Sequence, residues 1–183
     1  MKVGIFTGTF DPVHEGHISF ISEAIASCGL DTVLIFPEHS PRGKREVTPQ
    51  AHRVAMLEIA TKNLPTEVMV STAKNISMQD IHDATSRSSN LYLLLGTDVA
   101  LTLKTWPELP QIIDRMKFIV GVRSASDEKR VGTLMLHLGI DGGDYSCITT
   151  HNSLVSSSEI RTSRVHKNPE VMRYIQTHGL YKV

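Results

Sequence analysis

The chain has few of the features that mark secreted, membrane-spanning or nucleic-acid-binding proteins. Only two of its 183 residues are cysteine, Cys28 and Cys147, and their spacing suits neither a zinc site nor a disulfide framework. Its 19 basic residues balance 19 acidic ones, so the basic excess typical of general nucleic-acid binders is missing. No apolar run approaches the roughly 20 residues that span a bilayer, and no charged-then-apolar leader opens the sequence. These absences favour a cytoplasmic protein in a reducing compartment, with no nucleic-acid or membrane partner.

Several common catalytic motifs are also missing. No G-x-G-x-x-G follows the first apolar run, which argues against a hydride-transfer enzyme, and no G-x-x-x-x-G-K-[ST] indicates a P-loop NTPase. The sequence offers no convincing serine or cysteine triad. It also contains no internal repeat, low-complexity tract or linker, so residues 1–183 are predicted to form a single domain.

The chain does contain an alternation of short apolar runs and helical patterns. Runs that are apolar almost throughout predict strands covered on both faces of a parallel sheet. The predicted strands are residues 3–6, 32–37, 68–71, 91–96, 118–122 and 147–150. The predicted helices are residues 17–28, 49–63, 76–84, 98–104, 109–116, 128–138, 156–165 and 169–178. This order predicts an α/β fold with a doubly wound, mostly parallel sheet, in which ligands bind at the carboxyl edge.

The most informative stretch is residues 8–17, GTFDPVHEGH, which joins the first strand to the first helix. A glycine-bearing turn of this kind directs backbone N–H groups at one point, and the helix N-terminus adds partial positive charge there. Both features suit a phosphate. His14 and His17 lie within the stretch, and an imidazole near phosphates is a hydrogen-bond donor or a cation. An isolated histidine at a helix start could instead cap or pack, whereas a zinc pair would lack supporting ligands.

A second polar cluster, residues 155–161 (VSSSEIR), lies far downstream. Serines at a helix start cap the helix or donate to phosphate, and an arginine one turn later offers a permanently charged fork suited to phosphate oxygens. Ser156 and Glu159 also have the spacing of a capping box, so a purely structural role for this motif stays open.

Together the two motifs resemble the H-x-G-H and I-S-S-T-x-I-R signatures of the nucleotidylyltransferase superfamily. Nearly the whole chain is similar to bacterial nicotinate-nucleotide adenylyltransferases, and LLLGTD, Trp106, the strand into Arg123 and the ending IQTHGLY add to the match. The resemblance implies a Rossmann-like nucleotidylyltransferase fold. It implies that ATP and nicotinic acid mononucleotide give the deamido-NAD dinucleotide and pyrophosphate, a step of NAD biosynthesis. It further implies in-line attack without a covalent intermediate, with Mg²⁺ on the ATP phosphates and no metal ligand from the protein.

The resemblance also implies roles for particular residues. The implied catalytic residues are His14, His17 and Arg161. The residues implied to bind ATP and its phosphates are Gly8, Thr9, Phe10, Gly16, Gly96, Asp98, Ser156, Ser157 and Ser158. Among them, Gly16 would allow close approach of the substrate, and Asp98 would contact the ATP ribose. A carboxylate at position 98 also suits an N-cap of the following helix.

Trp106, Lys44 and Arg123 are the residues implied for the acceptor site. The flat face of Trp106 would stack on the pyridine ring of the acceptor, although a tryptophan at a helix end also packs in protein cores. Lys44 lies in a long polar loop and Arg123 follows the fifth predicted strand. Either of these two could equally be a solvated surface charge.

The chain departs from the family pattern at three places. Thr7 stands where the family usually has glycine, residues 40–44 read SPRGK instead of Pro-Pro-His-Lys, and residues 75–80 (NISMQD) replace a Ser-Tyr-Thr element. The last two concern the acceptor, so two alternatives stay open. One is a sister enzyme that uses nicotinamide mononucleotide, phosphopantetheine or a sugar or polyol phosphate; the other is a catalytically retired nucleotide sensor. The expected partners are small molecules, ATP and a mononucleotide, and a homo-oligomer is compatible with the sequence.

Overall fold

The structure is a computed structural model that describes residues 1–39, 46–71, 76–85, 89–150, 156–163 and 166–181. Within these ranges, six parallel strands form one sheet in the order β3-β2-β1-β4-β5-β6. The strands are β1 (Lys2–Gly8), β2 (Thr32–Pro37), β3 (Thr66–Val68), β4 (Asn90–Gly96), β5 (Met116–Val122) and β6 (Tyr145–Thr149). The predicted α/β doubly wound fold is therefore confirmed, and the sheet is parallel throughout.

Helices cover both faces of this sheet. They are α1 (Glu15–Cys28), α2 (Gln50–Thr61), α3 (Met78–Ala84), α4 (Thr97–Ala100), α5 (Leu109–Arg115), α6 (Ala125–His137), α7 (Ser157–Ser163) and α8 (Pro169–Thr177), with a 3-10 turn at Leu103–Thr105. None of the described helices combines the length and the apolar character needed to cross a membrane.

Alternate side chains of each strand enter two separate apolar clusters, one on each face of the sheet. Ile5, Leu93 and Val120 belong to the cluster that also contains residues of α5 and α6. Leu94 and Ile119, their neighbours along the strands, belong to the cluster that also contains residues of α1, α2 and α8. Burial on both faces explains why the central strands are apolar almost throughout.

Several elements differ from the predicted boundaries, among them β3 and α6. β3 ends at Val68 because its pairing with β2 stops there, and Val70 in the same apolar run is 65% exposed. β3 is an edge strand with a single neighbouring strand, so its apolar run can continue beyond the last residue that pairs with β2. α6 begins at Ala125 rather than at residue 128, because the Ser124 hydroxyl accepts a hydrogen bond from the Asp127 amide at 3.2 Å and caps the helix.

The sheet order reverses direction between β1 and β4, since β1 is followed on one side by β2 and on the other by β4. In doubly wound sheets a crevice opens at this point, beyond the carboxyl ends of the strands. The segment after β1, the start of α4 and the residue after β5 all lie at this edge. These are the segments in which the sequence places most of the predicted site residues.

Candidate active site

The turn after β1 is shaped by Phe10. Its backbone is left-handed (φ 50°), a conformation that strains a bulky side chain. The buried ring packs edge-on against His17, with centroids 5.0 Å apart, and contacts Phe6 in the same way. A Cβ at Gly8 would lie 2.9 Å from this ring, so glycine is needed where the strand ends. Phe10 therefore supports the turn with its ring, and only its backbone remains to face a phosphate.

The two histidines stack on each other at the start of α1. The helix begins at Glu15, earlier than the predicted residue 17, with His14 as its N-cap and Gly16 in its first turn. The ring centroids of His14 and His17 are 3.7 Å apart, with an interplanar angle of 27°. The backbone N–H of His14 donates to Nδ1 of His17 at 3.1 Å. A neutral His17 therefore carries its proton on Nε2.

His14 is uncharged at neutral pH. Burial, with repulsion from Arg123 as a smaller cause, lowers the pKa of its imidazole from 6.5 to about 4. Its Nδ1 atom is buried and has no hydrogen-bond partner among the described residues. In the protein without substrate, His14 is thus a neutral hydrogen-bonding group beside the N-terminus of α1.

Side chains from the C-terminal part of the chain hold the carbonyl groups of this turn. Arg161 Nη1 donates to the carbonyl of residue 11 at 2.6 Å, and Ser157 Oγ donates to that of residue 12 at 2.8 Å. His166 Nε2 donates to the carbonyl of residue 13 at 2.7 Å. α7 and the segment after it are thereby attached to the turn that carries the histidines. The structure brings together both predicted motifs, although they are about 150 residues apart in sequence.

The three serines of the second motif have different partners. Ser156 caps α7, since its Oγ accepts from the Glu159 amide at 3.1 Å. The Ser158 Oγ accepts from Arg161 Nη2 at 2.9 Å, which orients the guanidinium. The capping-box geometry expected for Ser156 and Glu159 is thus present alongside the contacts of Ser157 and Arg161 with the turn.

Arg53 is a buried residue of the site region that the sequence patterns did not single out. It is 1% exposed and donates to four backbone carbonyls: Thr48 at 2.8 Å, Thr9 at 2.6 Å, Glu38 at 2.8 Å and His39 at 3.5 Å. It therefore joins the segments after β1 and β2 to the start of α2. A sequence signal was available, since an arginine lies among the apolar residues of a helix, but its partners are too distant in sequence to be inferred.

The side chains of Asp11 and Tyr181 form a second set of contacts that holds the turn after β1. The Tyr181 hydroxyl donates to Asp11 Oδ1 at 2.8 Å, and the Thr48 amide donates to Oδ2 at 3.3 Å. Burial raises the pKa of Tyr181 well above its ordinary value, so the hydroxyl keeps its proton. The end of the chain is in this way attached to the same turn.

The residues after β4 and β5 form the other side of the crevice. The buried Thr97 donates through Oγ1 to the Gly121 carbonyl at 2.8 Å, which fixes α4 to β5. Asp98 is exposed and pairs with Arg123, with Oδ2 and Nη2 3.6 Å apart. Among the described residues, a Cβ built on Gly96 would meet nothing within 4 Å. Arg123, predicted for the acceptor, therefore pairs with the residue predicted for the ATP ribose and also acts on the pKa of His14.

Trp106 lies at the end of the 3-10 turn that follows α4. It is partly buried against the apolar cluster of α5 and α6, and its Nε1 donates to Thr102 Oγ1 at 3.0 Å. The indole is thus held in one orientation while part of its surface stays accessible. Lys44, the other residue predicted for the acceptor, lies outside the described residues.

Comparisons with known proteins agree with this geometry. The family model described as cytidylyltransferase-like matches residues 5–163. Two relatives named as probable nicotinate-nucleotide adenylyltransferases, from Roseiflexus sp. and Endomicrobium trichonymphae, are each 30% identical. The matches cover 98% of this chain and 98% of the first relative, and 99% of this chain and 99% of the second. The fold is also similar to that of the Plasmodium falciparum nicotinic acid mononucleotide adenylyltransferase solved with NaAD, with a TM-score of 0.76, 18% identity, and coverage of 98% of this chain and 97% of that one.

Proposed function

The chain belongs to the cytidylyltransferase-like family, and we propose that it transfers AMP from ATP to nicotinic acid mononucleotide. The products are the deamido-NAD dinucleotide and pyrophosphate, a step of NAD biosynthesis. The observation that carries this proposal is the stacked His14–His17 pair at the N-terminus of α1, at the carboxyl edge of the sheet. Full-length similarity to relatives named for this reaction supports the choice of substrate.

In the proposed reaction, a phosphate oxygen of the mononucleotide attacks the α-phosphorus of ATP and pyrophosphate leaves. Both substrates are anions, so the site must offer donors and positive charge and must align the attack. The backbone N–H groups of residues 8–10 and of the first turn of α1, with Gly16, meet this need. Neutral His14 and the Nε2–H of His17 add side-chain donors without a covalent intermediate.

Arg161 can bind a substrate phosphate while it keeps its contact with the turn. A guanidinium carries five N–H donors, and the contacts with the carbonyl of Asp11 and with Ser158 each take one. We assign the remaining donors to the triphosphate, where a permanent positive charge stabilises the leaving pyrophosphate. Ser157 then acts through the turn, while Ser156 and Ser158 border the same phosphate site.

Magnesium enters this proposal with ATP. The described residues contain no group of three or more histidine, cysteine, aspartate or glutamate side chains placed to hold a metal ion. Mg²⁺ usually keeps several waters and is held mainly by substrate phosphates, which fits a site without a protein cage. When bound, it neutralises charge on the triphosphate.

We propose the remaining assignments from the same placement. Gly96 and Asp98 border the adenosine, and the accessible face of Trp106 stacks on the pyridine ring of the acceptor. Lys44 and Arg123 are assigned to the acceptor site, as the resemblance implies. The chain forms one domain over residues 1–183, and its two cysteines, both without a disulfide, suit a reducing cytoplasmic setting. Its partners are the two nucleotides and not nucleic acid or membrane, and a homo-oligomer remains compatible with this function.

The test is pyrophosphate release from ATP and Mg²⁺ with a panel of acceptors: nicotinic acid mononucleotide, nicotinamide mononucleotide, phosphopantetheine and sugar phosphates. Release with the nicotinate compound at an efficiency at least a hundredfold above the others is the expected result. A preference for another acceptor would change the assigned substrate and would leave the proposed adenylyl transfer standing. No release with any acceptor, from folded protein that binds ATP, would indicate the sensor instead.

A further inference from the structure

One peptide group connects the two catalytic histidines to a third, buried histidine. The carbonyl of Val13 and the N–H of His14 belong to the same planar peptide unit. The carbonyl accepts from His166 Nε2 at 2.7 Å, and the N–H donates to His17 Nδ1 at 3.1 Å. Because the unit is rigid, fixing the carbonyl also fixes the direction of the N–H.

The tautomer of His166 is set by its other neighbour. The backbone N–H of Asn168 donates to His166 Nδ1 at 3.0 Å, so Nδ1 accepts and Nε2 carries the proton. Asn168 is itself the N-cap of α8, since its side chain accepts from the amides of residues 170 and 171. The donor that reaches the active-site turn is thus anchored to the start of a helix. His166 is only 7% exposed, so this bond lies in a largely buried part of the protein.

We propose that His166 is a positioning residue for nucleotidyl transfer. Its Nε2–H holds the peptide between Val13 and His14, and this peptide in turn sets the orientation of the His17 ring and of the His14 ring stacked on it. His166 itself touches no reacting atom. The inference rests on the proposed function for its catalytic consequence, and its structural part stands on the hydrogen bonds alone.

Two substitutions separate this role from simple packing. His166→Asn places an acceptor near the former Nδ1 and cannot reach Val13, whereas His166→Gln places an amide donor near the former Nε2. We expect His166→Asn to lower kcat roughly tenfold to a hundredfold, because a displacement of about 1 Å in a reacting group has a cost of this size. His166→Gln should restore kcat to within about threefold of the wild type. KM for the mononucleotide should change little in either variant.

The outcomes distinguish the alternatives. Equal losses in both variants, or no loss in either, would overturn the role of the Nε2 donor. The imidazole C–H signals of His14 and His17, followed by NMR, should shift in His166→Asn and stay near wild-type positions in His166→Gln. This readout needs no activity, so failure of the wild-type protein to use any acceptor would refute the proposed function without affecting the positioning test.

A third measurement needs no variant at all. In wild-type protein the ¹⁵N signals of His166 should show the proton on Nε2 with Nδ1 unprotonated. A proton on Nδ1 would overturn the inference, even if His166→Asn proved unable to fold.

Discussion

His17 uses one ring nitrogen to accept the amide proton of His14, which leaves the other nitrogen to carry a proton. His14 stacks on it and stays neutral, because burial disfavours the charged form. At the scale of single residues, the two histidines therefore offer hydrogen-bond donors that are already oriented. Positive charge comes instead from Arg161 and Arg123, which cannot lose it at physiological pH.

His17→Ala should lower turnover by orders of magnitude without unfolding the protein, since it removes transition-state contacts rather than core volume. His17→Asn is the matched control, because its side-chain oxygen can still accept from the His14 amide while the Nε2 donor is lost. Both variants should be similarly inactive in pyrophosphate release, and their thermal midpoints should stay close to that of the wild type. Recovery of activity in His17→Asn would assign His17 to capping instead of catalysis.

Gly96→Ala should raise KM for ATP about tenfold or more while leaving stability unchanged. A Cβ there meets no atom of the described residues within 4 Å, so we expect any loss to come from the substrate. Gly142→Ala is the control, since its Cβ is equally uncrowded and it lies in the loop between α6 and β6. Unchanged KM for ATP in Gly96→Ala would remove this glycine from the proposed adenosine site.

Sequence reasoning found the residues that carry a local signature and missed those that act at a distance. His14 and His17 lie in one ordered motif, and its resemblance to a family signature implies their chemistry. His166 and Arg53 act on carbonyls 153 and 44 residues away, and no spacing rule connects them. The left-handed backbone of Phe10 was also unpredictable, because it depends on a ring that packs between Gly8 and His17.

At the scale of elements, the active-site turn is held by its neighbours more than by its own sequence. The carbonyl of Val13 accepts a hydrogen bond from the segment before α8, and the carbonyl of Thr9 accepts one from Arg53 of α2. Strands and helices were predictable from apolar periodicity, while their ends depended on side-chain caps and on where pairing stops. Ser124 at the start of α6 and the early end of β3 illustrate both causes.

Arg53→Met should lower the free energy of unfolding by about 3 kcal/mol, because it removes a buried charged donor from four partly buried carbonyls. Urea unfolding measures the change. Arg173→Met, at an exposed position of α8, should change stability by less than about 0.5 kcal/mol. Equal effects of the two substitutions would show that the Arg53 contacts do not stabilise the fold.

Trp106→Ala should raise KM for the mononucleotide more than KM for ATP, because it removes the proposed stacking face next to α4. Trp106→Phe should recover part of the loss, since it keeps an aromatic surface. Steady-state kinetics with each substrate varied in turn gives both constants. Equal effects on the two substrates would remove the stacking role.

At the scale of the whole molecule, the stability of the fold is linked to the protonation of His14. Its pKa is about 4 in the folded protein, below the ordinary value of 6.5 that holds in the unfolded chain, so the unfolded chain binds more protons between these values. The contribution of neutral His14 to the free energy of unfolding is therefore fully present above pH 6.5 and is lost as the pH falls toward 4. Replacement of the ring should remove this dependence.

The measurement is urea unfolding of the wild type and of His14→Asn at several pH values between 4 and 8. The unfolding free energy of the wild type minus that of His14→Asn should be constant above about pH 7. This difference should decrease at lower pH. Comparing the two proteins cancels the titration of the carboxylates, which both share. Parallel curves over the whole range would show that the folded-state pKa of His14 is not lowered.

The sheet as a whole was predictable because six apolar runs alternate with helices, and parallel strands need such crossovers. The crevice at its carboxyl edge followed from the same rule. The attachment of the chain's last segments to the first turn did not follow, because α7, His166 and Tyr181 meet that turn through individual hydrogen bonds.

This attachment has a consequence for the newly synthesised chain. Asp11, in the turn that carries the histidines, is synthesised 150 residues before Arg161, and Val13 is synthesised 153 residues before His166. At roughly 5 to 20 residues per second, this delay lasts about 8 to 30 s. Throughout that time a nascent chain carries the proposed catalytic side chains without the groups that orient them, so we expect no nucleotidyl transfer until translation has nearly finished.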